Sequence, residues 1–272
     1  MRIKLDIDLL AEKINLIKDE EGFNQLNYEV WVNHLREERH PIPGFIEKFR
    51  SGSLLILGGN PSFNSDGYNK EISKCEDKDI LNLLDPEKFE IFTKEKMETE
   101  KEIKKHIKDA IKLDNCIWTG GHSYRNALEK VILNPLKLTK DEVVLWDVFS
   151  LRINDQNDLD DFLKLNPEMK IYQLLMLLKV IEICKPKMIV LANCGAAKKI
   201  LSYSKSNRHL SIKFDEENGT HQFSYKDIKC PMFISANLNS RNSLDRFSKE
   251  RLGWHLKRVW NEIHQKELTI QS

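Results

Sequence analysis

Four short apolar runs along the chain predict buried strands, because each is too short for a buried helix and is rich in Leu, Ile, Val or Phe. The runs lie at 53–58, 143–148, 187–192 and 231–236. Between them, apolar residues three to four positions apart predict helices, most clearly over 169–184 and from Phe247 to Trp260. Strands that alternate with helices are typical of a parallel sheet covered on both faces. The pattern therefore predicts an α/β protein with three α/β/α layers and a central four-stranded parallel sheet.

Three further segments refine this architecture. Residues 1–50 have helical periodicity, which predicts an N-terminal helical extension before a main domain over 51–272. Residues 64–115 are polar and rich in lysine and glutamate, which predicts an insertion in that domain with a solvated helix. Asn218-Gly219 lies between two segments of strand character, which predicts a β-hairpin.

Composition and charge narrow the class of protein. The 272 residues are 40% hydrophobic and 31% charged, as in soluble domains with a core. The five cysteines form no C-x-x-C pair, which favours a reducing cytoplasm and argues against a zinc or iron–sulfur site. No run of 18 apolar residues predicts a membrane span. The net charge of +1 confines any binding of nucleic acid to a local patch.

Polar residues follow each of the four apolar runs. Segment 58–62 (Gly-Gly-Asn-Pro-Ser) follows the first, Asp147 ends the second, Asn193 follows the third, and the loop 237–242 follows the fourth. The glycines allow a sharp turn and a close approach to a ligand, and the proline keeps the preceding asparagine extended. Open α/β sheets hold their chemistry at the carboxyl ends of their strands. We therefore expect these segments to form one functional site.

Together the segments resemble the uracil-DNA glycosylase superfamily over about residues 50–262. Gly58-Gly59-Asn60-Pro61 matches the first motif of that family, in the G-x-N-P form of its single-strand-selective and mismatch-specific branches. Segment 186–197 resembles the third strand of the family and the helix after it. The loop 237–242 stands where the family has its H-P-S-x-x-N loop, with asparagine replacing the histidine and leucine the proline. Segment 117–120 (Ile-Trp-Thr-Gly) resembles the aromatic-glycine segment before the second helix.

The resemblance implies a monofunctional DNA glycosylase that flips a nucleotide and hydrolyses its N-glycosidic bond, with no metal or cofactor. It implies that Asn60 orients the attacking water, since an amide is too weak a base to deprotonate it, and that Asn237 donates a hydrogen bond to the leaving base or a phosphate. The implied base-binding residues are Gly58, Gly59, Ser62, Phe63, Trp118 and Asp147, and the implied DNA-binding residues are Asn239, Ser240, Arg241 and Asn242. No lysine nucleophile is placed at the motifs, so lyase activity is not expected.

Two departures from the family pattern indicate the substrate. Ser62 stands where strict uracil enzymes have a tyrosine that blocks groups on C5 of the pyrimidine. Asp147 stands where the family has an asparagine that reads the base edge. A carboxylate accepts from the N4 amine of cytosine but repels O4 of uracil. The favoured substrate is therefore a 5-substituted cytosine, such as the glucosylated hydroxymethylcytosine of some bacteriophage DNAs, with antiviral defence as the corresponding hypothesis.

Several alternatives stay open at this point. The enzyme could be a repair glycosylase for uracil or mismatched thymine, or the chain a catalytically silent protein that binds a base or DNA. Asp147 could cap its loop, and Trp118 could pack in the core. Asn193 is better explained as a strand-end cap than as a DNA contact. The basic residues of the last helix are interpreted as a solvated face; they are Lys249, Arg251, Lys257 and Arg258.

Overall fold

The structure is a computed structural model that describes residues 51–59, 123–149, 156–165, 167–238 and 244–271. Of these, residues 51–59, 123–148, 180–238 and 244–271 belong to one compact unit, which contains the whole sheet. The described residues between 149 and 179 belong to a second unit. The predicted N-terminal extension and the predicted insertion at 64–115 lie outside the described residues.

Strands and helices alternate along the described chain as far as the helix Cys194–Ser206, and three consecutive strands and a last helix follow. In chain order the elements are β1 Leu54–Gly58, α1 Ser123–Leu128, a π-helical segment Glu129–Leu133, α2 Asn134–Leu136, a 3₁₀ turn Lys140–Glu142, β2 Val143–Asp147, α3 Gln156–Leu165, α4 Pro167–Cys184, β3 Met188–Leu191, α5 Cys194–Ser206, β4 Leu210–Asp215, β5 Thr220–Tyr225, β6 Ile228–Ile234 and α6 Arg246–Gln271. The protein is therefore of the α/β class.

Within the described residues the sheet has six strands rather than the four predicted, in the order β2-β1-β3-β6-β5-β4. The apolar runs form β2, β1, β3 and β6, and neighbours among these four are parallel. The predicted hairpin forms β4 and β5, and β5 pairs antiparallel with β6. Since β6 would otherwise present an unpaired edge, the hairpin continues the sheet beyond it, and the sheet is mixed.

The core lies around the central strands. Residues 54–57 of β1 and all of β3 are buried, as expected for central strands covered on both faces. In β2, an outer strand, Leu145 and Asp147 are half-buried. The half-buried carboxylate of Asp147 therefore lies at the carboxyl end of β2, where solvent can reach it.

Candidate functional site

Side chains from neighbouring segments fill the space beside the two glycines at the end of β1. A Cβ built on Gly58 would collide with Oδ1 of Asp147. A Cβ built on Gly59 would stand 2.9 Å from Cγ of Asn193 and 2.5 Å from its Nδ2. Neither glycine has a φ in the left-handed region, in contrast to Gly52 and Gly219. These two positions therefore require glycine because the neighbouring side chains leave no room for a Cβ.

Asp147 comes from β2 and lies beside Gly58 in register. The two residues are paired across the parallel strands. Side chains of paired residues point to the same face, so the carboxylate occupies the volume that a side chain on Gly58 would take. Sequence reasoning placed Asp147 at the end of the second strand and Gly58 in the base-binding set, and the structure brings them together.

Tyr124, at the start of α1, is a member of this cluster that sequence reasoning missed. Its hydroxyl oxygen lies 3.7 Å from the position of a Cβ on Gly58, next to the Asp147 carboxylate. Burial of the hydroxyl, and secondarily the negative charge of Asp147, raise the pKa of Tyr124 above its usual value. The phenol therefore stays neutral at physiological pH. The signal in the sequence is its place at the start of the helix that the Gly120–Ser123 segment predicts, since such starts face the carboxyl edge.

Asn193 has the structural role that the sequence favoured. It is the N-cap of α5, with extended backbone (φ −158°, ψ 113°). Its Oδ1 accepts a hydrogen bond from the backbone N–H of Ala196 at 2.9 Å. The same amide is the group that fills the space at Gly59. The cap hydrogen bond thus fixes the position of the amide that packs against the end of β1.

Asn237 reaches the same edge of the sheet from β6. The backbone N–H of Ser235 donates to the carbonyl of Leu191 at 2.9 Å, which extends the β3–β6 pairing beyond the last strand residue. Asn237 follows two residues later and is half-buried. β6 is two strand spacings from β1, or about 10 Å. Asp147 and Asn237 therefore stand on opposite sides of the end of β1 along this edge.

The remaining predicted site residues lie outside the described residues. They are Asn60, Ser62, Phe63, Trp118, Asn239, Ser240, Arg241 and Asn242. The segment of the first motif that the structure describes ends at Gly59. The geometry of the site therefore consists of the two glycines, the carboxylate, the phenol and the capping amide, with Asn237 farther along the edge.

Two kinds of feature are absent from the described part of the chain. No group of three or more histidine, cysteine, aspartate and glutamate side chains there could hold a metal ion. No helix there is both long and apolar enough to cross a membrane.

Comparison with models of known protein families and with curated proteins finds no match for this chain. The chemistry of the site and the motifs along the sequence are therefore the features that bear on its function.

Proposed function

We propose that this protein is a monofunctional DNA glycosylase whose favoured substrate is a flipped, 5-substituted cytosine. The observation that carries the proposal is the position of the Asp147 carboxylate, which fills the space at Gly58 two residues before Asn60. In the proposal, the uracil-DNA glycosylase-like fold is built on the parallel strands β2, β1, β3 and β6. Its pocket opens at their carboxyl ends, where such sheets bind ligands.

The carboxylate favours cytosine over uracil for an electrostatic reason. Ionised Asp147 only accepts hydrogen bonds, so the N4 amine of cytosine is its natural partner. O4 of uracil or thymine is an acceptor and would face another acceptor, so O4 would be left without a hydrogen-bond donor. An unpaired polar group in a buried site costs about 1–3 kcal/mol. That range corresponds to roughly a 5- to 150-fold preference between the two bases.

The reaction assigned to the site is hydrolysis of the bond between C1′ and the base nitrogen. In the proposal, Asn60 orients a water toward C1′ while the glycosidic electrons leave with the base. Asn237 donates a hydrogen bond that stabilises the departing base. The attacking water forms the new C1′–O bond and releases one proton to solvent, and the departing base anion takes up one proton from solvent. The products are a free base and an abasic site.

The direct experiment compares oligonucleotides that carry uracil, hydroxymethylcytosine, glucosylated hydroxymethylcytosine or a thymine mismatch. Abasic sites are detected by alkaline strand cleavage, on single strands and on duplexes. The proposal predicts cleavage at the modified cytosines. Release of uracil or thymine alone would replace the proposed substrate with that of a repair glycosylase. Base-dependent binding with no abasic product would indicate the catalytically silent protein.

Two variants assign the roles of the residues. Asn60→Ala should remove most activity and leave the thermal unfolding midpoint unchanged, because it removes the group proposed to position the water. Asp147→Asn should lower activity on cytosine-type bases more than on uracil. The matched control is Asp227→Asn, since Asp227 is exposed in the turn between β5 and β6, at the opposite edge of the sheet. An equal loss in the Asp147 and Asp227 variants would contradict the role of Asp147.

A further inference from the structure

An open cleft of about 400 Å³ lies between α6 and the turn of the β4–β5 hairpin. Arg251, Trp254, His255 and Arg258 of α6 line one side, and the turn residues 216–219 line the other. The helical residues are spaced three, four and seven positions apart, so they share one face of α6. None of them belongs to the candidate site at the end of β1.

One wall of the cleft is braced by hydrogen bonds. The backbone carbonyl of Asn218 accepts from Nε2 of His255 at 2.8 Å and from Nη2 of Arg258 at 3.2 Å. Within the turn, Asp215 accepts from the backbone and the side chain of Asn218. His255 also packs edge-on against the ring of Phe233, with centroids 4.9 Å apart. The turn is therefore held against the helix, and the cleft is preformed.

Trp254 offers a flat apolar surface in this polar cleft. Trp254 is 66% exposed, which is unusual for tryptophan, so its indole does not pack in the core. The guanidinium of Arg258 lies 5.7 Å from its ring centroid. An exposed indole beside arginines is the combination with which proteins bind the bases and phosphates of unpaired strands.

The charges of the cleft are divided between its walls. Arg251 and Arg258 supply cationic donors on the helix, and Glu216 and Glu217 supply carboxylate acceptors on the turn. An isolated anion would be attracted by one wall and repelled by the other. A nucleotide satisfies both walls, because its phosphate accepts from the arginines while N–H groups of its base donate to a carboxylate.

The hairpin turn emerges at the same edge of the sheet as the candidate site. His221, at the start of β5, pairs with Met232 near the end of β6, so the turn before it lies where the parallel strands end. β5 is three strand spacings from β1, or about 14 Å. About four stacked nucleotides span that distance, at about 3.4 Å each. A strand that places one nucleotide at β1 can therefore reach the cleft.

We propose that this cleft binds an unpaired nucleotide of a single DNA strand, with its base stacked on Trp254 and its phosphate held by Arg251 and Arg258. The choice of DNA as ligand rests on the proposed function, and the site adds a contact about four nucleotides from the flipped base. Two of the four basic residues that the sequence assigned to a solvated face thus take part in binding.

The test measures binding of fluorescent twelve-nucleotide strands of unmodified dC and of a strand with the same phosphates and abasic sugars. Trp254→Ala should weaken binding of the dC strand about 5- to 150-fold, the usual range for one stacked base. It should leave binding of the abasic strand unchanged, and Trp254→Phe should restore most of the loss. Replacing both arginines with alanine should lower the salt dependence of binding to both strands.

The control is Lys257→Ala, because Lys257 is an exposed cation of the same helix that does not line the cleft. Equal losses in the Trp254 and Lys257 variants, or equal losses on the base-containing and abasic strands, would overturn the proposal. Failure of wild-type protein to bind the dC strand would overturn it too. Excision is assayed separately, so base-dependent binding without excision would uphold the cleft and reject the proposed enzyme. Excision of the modified cytosine, together with unchanged binding of the dC strand by the Trp254→Ala variant, would uphold the proposed enzyme and reject the cleft.

Discussion

Replacing Gly59 with alanine tests the packing at the end of β1 without assuming any function. The new Cβ would stand 2.9 Å from Cγ of Asn193, closer than side-chain carbons approach in folded proteins. Either β1 or the amide must move. If the amide moves, Asn193 loses its cap hydrogen bond to Ala196, which is 2.9 Å long.

The expected cost follows from these two contacts. Loss of an N-cap costs about 1 kcal/mol, and forcing an extra methyl into a filled space costs about 1–3 kcal/mol. Because these are alternative adjustments, Gly59→Ala should lower the free energy of unfolding by roughly 1–3 kcal/mol, less about 0.4–1 kcal/mol for the stiffer unfolded chain. Asn193→Ala alone should cost about 1 kcal/mol. In the double variant the space is empty, so the added methyl should cost little.

Urea denaturation followed by far-UV circular dichroism gives the four free energies of this cycle. The double variant should be more stable than additivity predicts by at least about 1 kcal/mol. Gly58→Ala in the Asn193→Ala background is the matched control, because its Cβ meets Asp147 instead and should show little coupling. Additive effects of Gly59→Ala and Asn193→Ala would refute the packing described for Gly59.

Three shorter predictions follow from other groups. The raised pKa of Tyr124 keeps its phenol neutral in the folded state while the unfolded phenol ionises near pH 10, so stability should fall as pH rises above about 10, and Tyr124→Phe should flatten that fall in denaturation series. Burial raises the pKa of the Cys230 thiol to about 12, whereas Cys194 is exposed. Iodoacetamide should therefore modify Cys194 before Cys230, as read by peptide mass spectrometry. Gly219→Ala should cost about 1–2 kcal/mol in urea denaturation, because its φ is +65° and its Cβ would stand 3.3 Å from Cε1 of His255.

Local patterns in the sequence predicted the parts of the fold that depend on local chemistry. The apolar runs predicted the positions of the four parallel strands to within three residues, since a strand that is buried on both faces is apolar along nearly its whole length. Asn218-Gly219 marked the hairpin, and the polar residue after β3 is the helix cap that was favoured. The helix α3 was not predicted, although its apolar residues Leu159, Phe162 and Leu163 have the spacing of an amphipathic helix.

Contacts between distant segments were the part that the sequence did not reveal. The sequence explains the glycines of the first motif by a sharp turn and a close approach to a ligand, yet the groups that require them, on Asp147 and Asn193, are 89 and 134 residues away. The pairing of β5 with β6 likewise depends on an edge that exists only once the sheet has formed. Tyr124 joins the cluster for the same reason. The fold brings its hydroxyl to Gly58, whereas the sequence indicates no more than the place of Tyr124 at a predicted helix start.

The close packing at Gly58 changes what the first motif implies for substrate choice. If the glycine served only to admit a ligand, the residue at the end of β2 would be free to vary without affecting β1. Instead, the Asp147 carboxylate uses the volume of the missing side chain, so Gly58 and Asp147 act as a pair. A side chain on Gly58 would push the carboxylate out of the position from which it is proposed to read the base. Gly58→Ala should therefore change the ratio of rates on modified cytosine and uracil, whereas Gly59→Ala, which meets the capping amide, should change stability more than that ratio. If the ratio of rates on modified cytosine and uracil were the same in Gly58→Ala and Gly59→Ala, the carboxylate would not determine the choice of base.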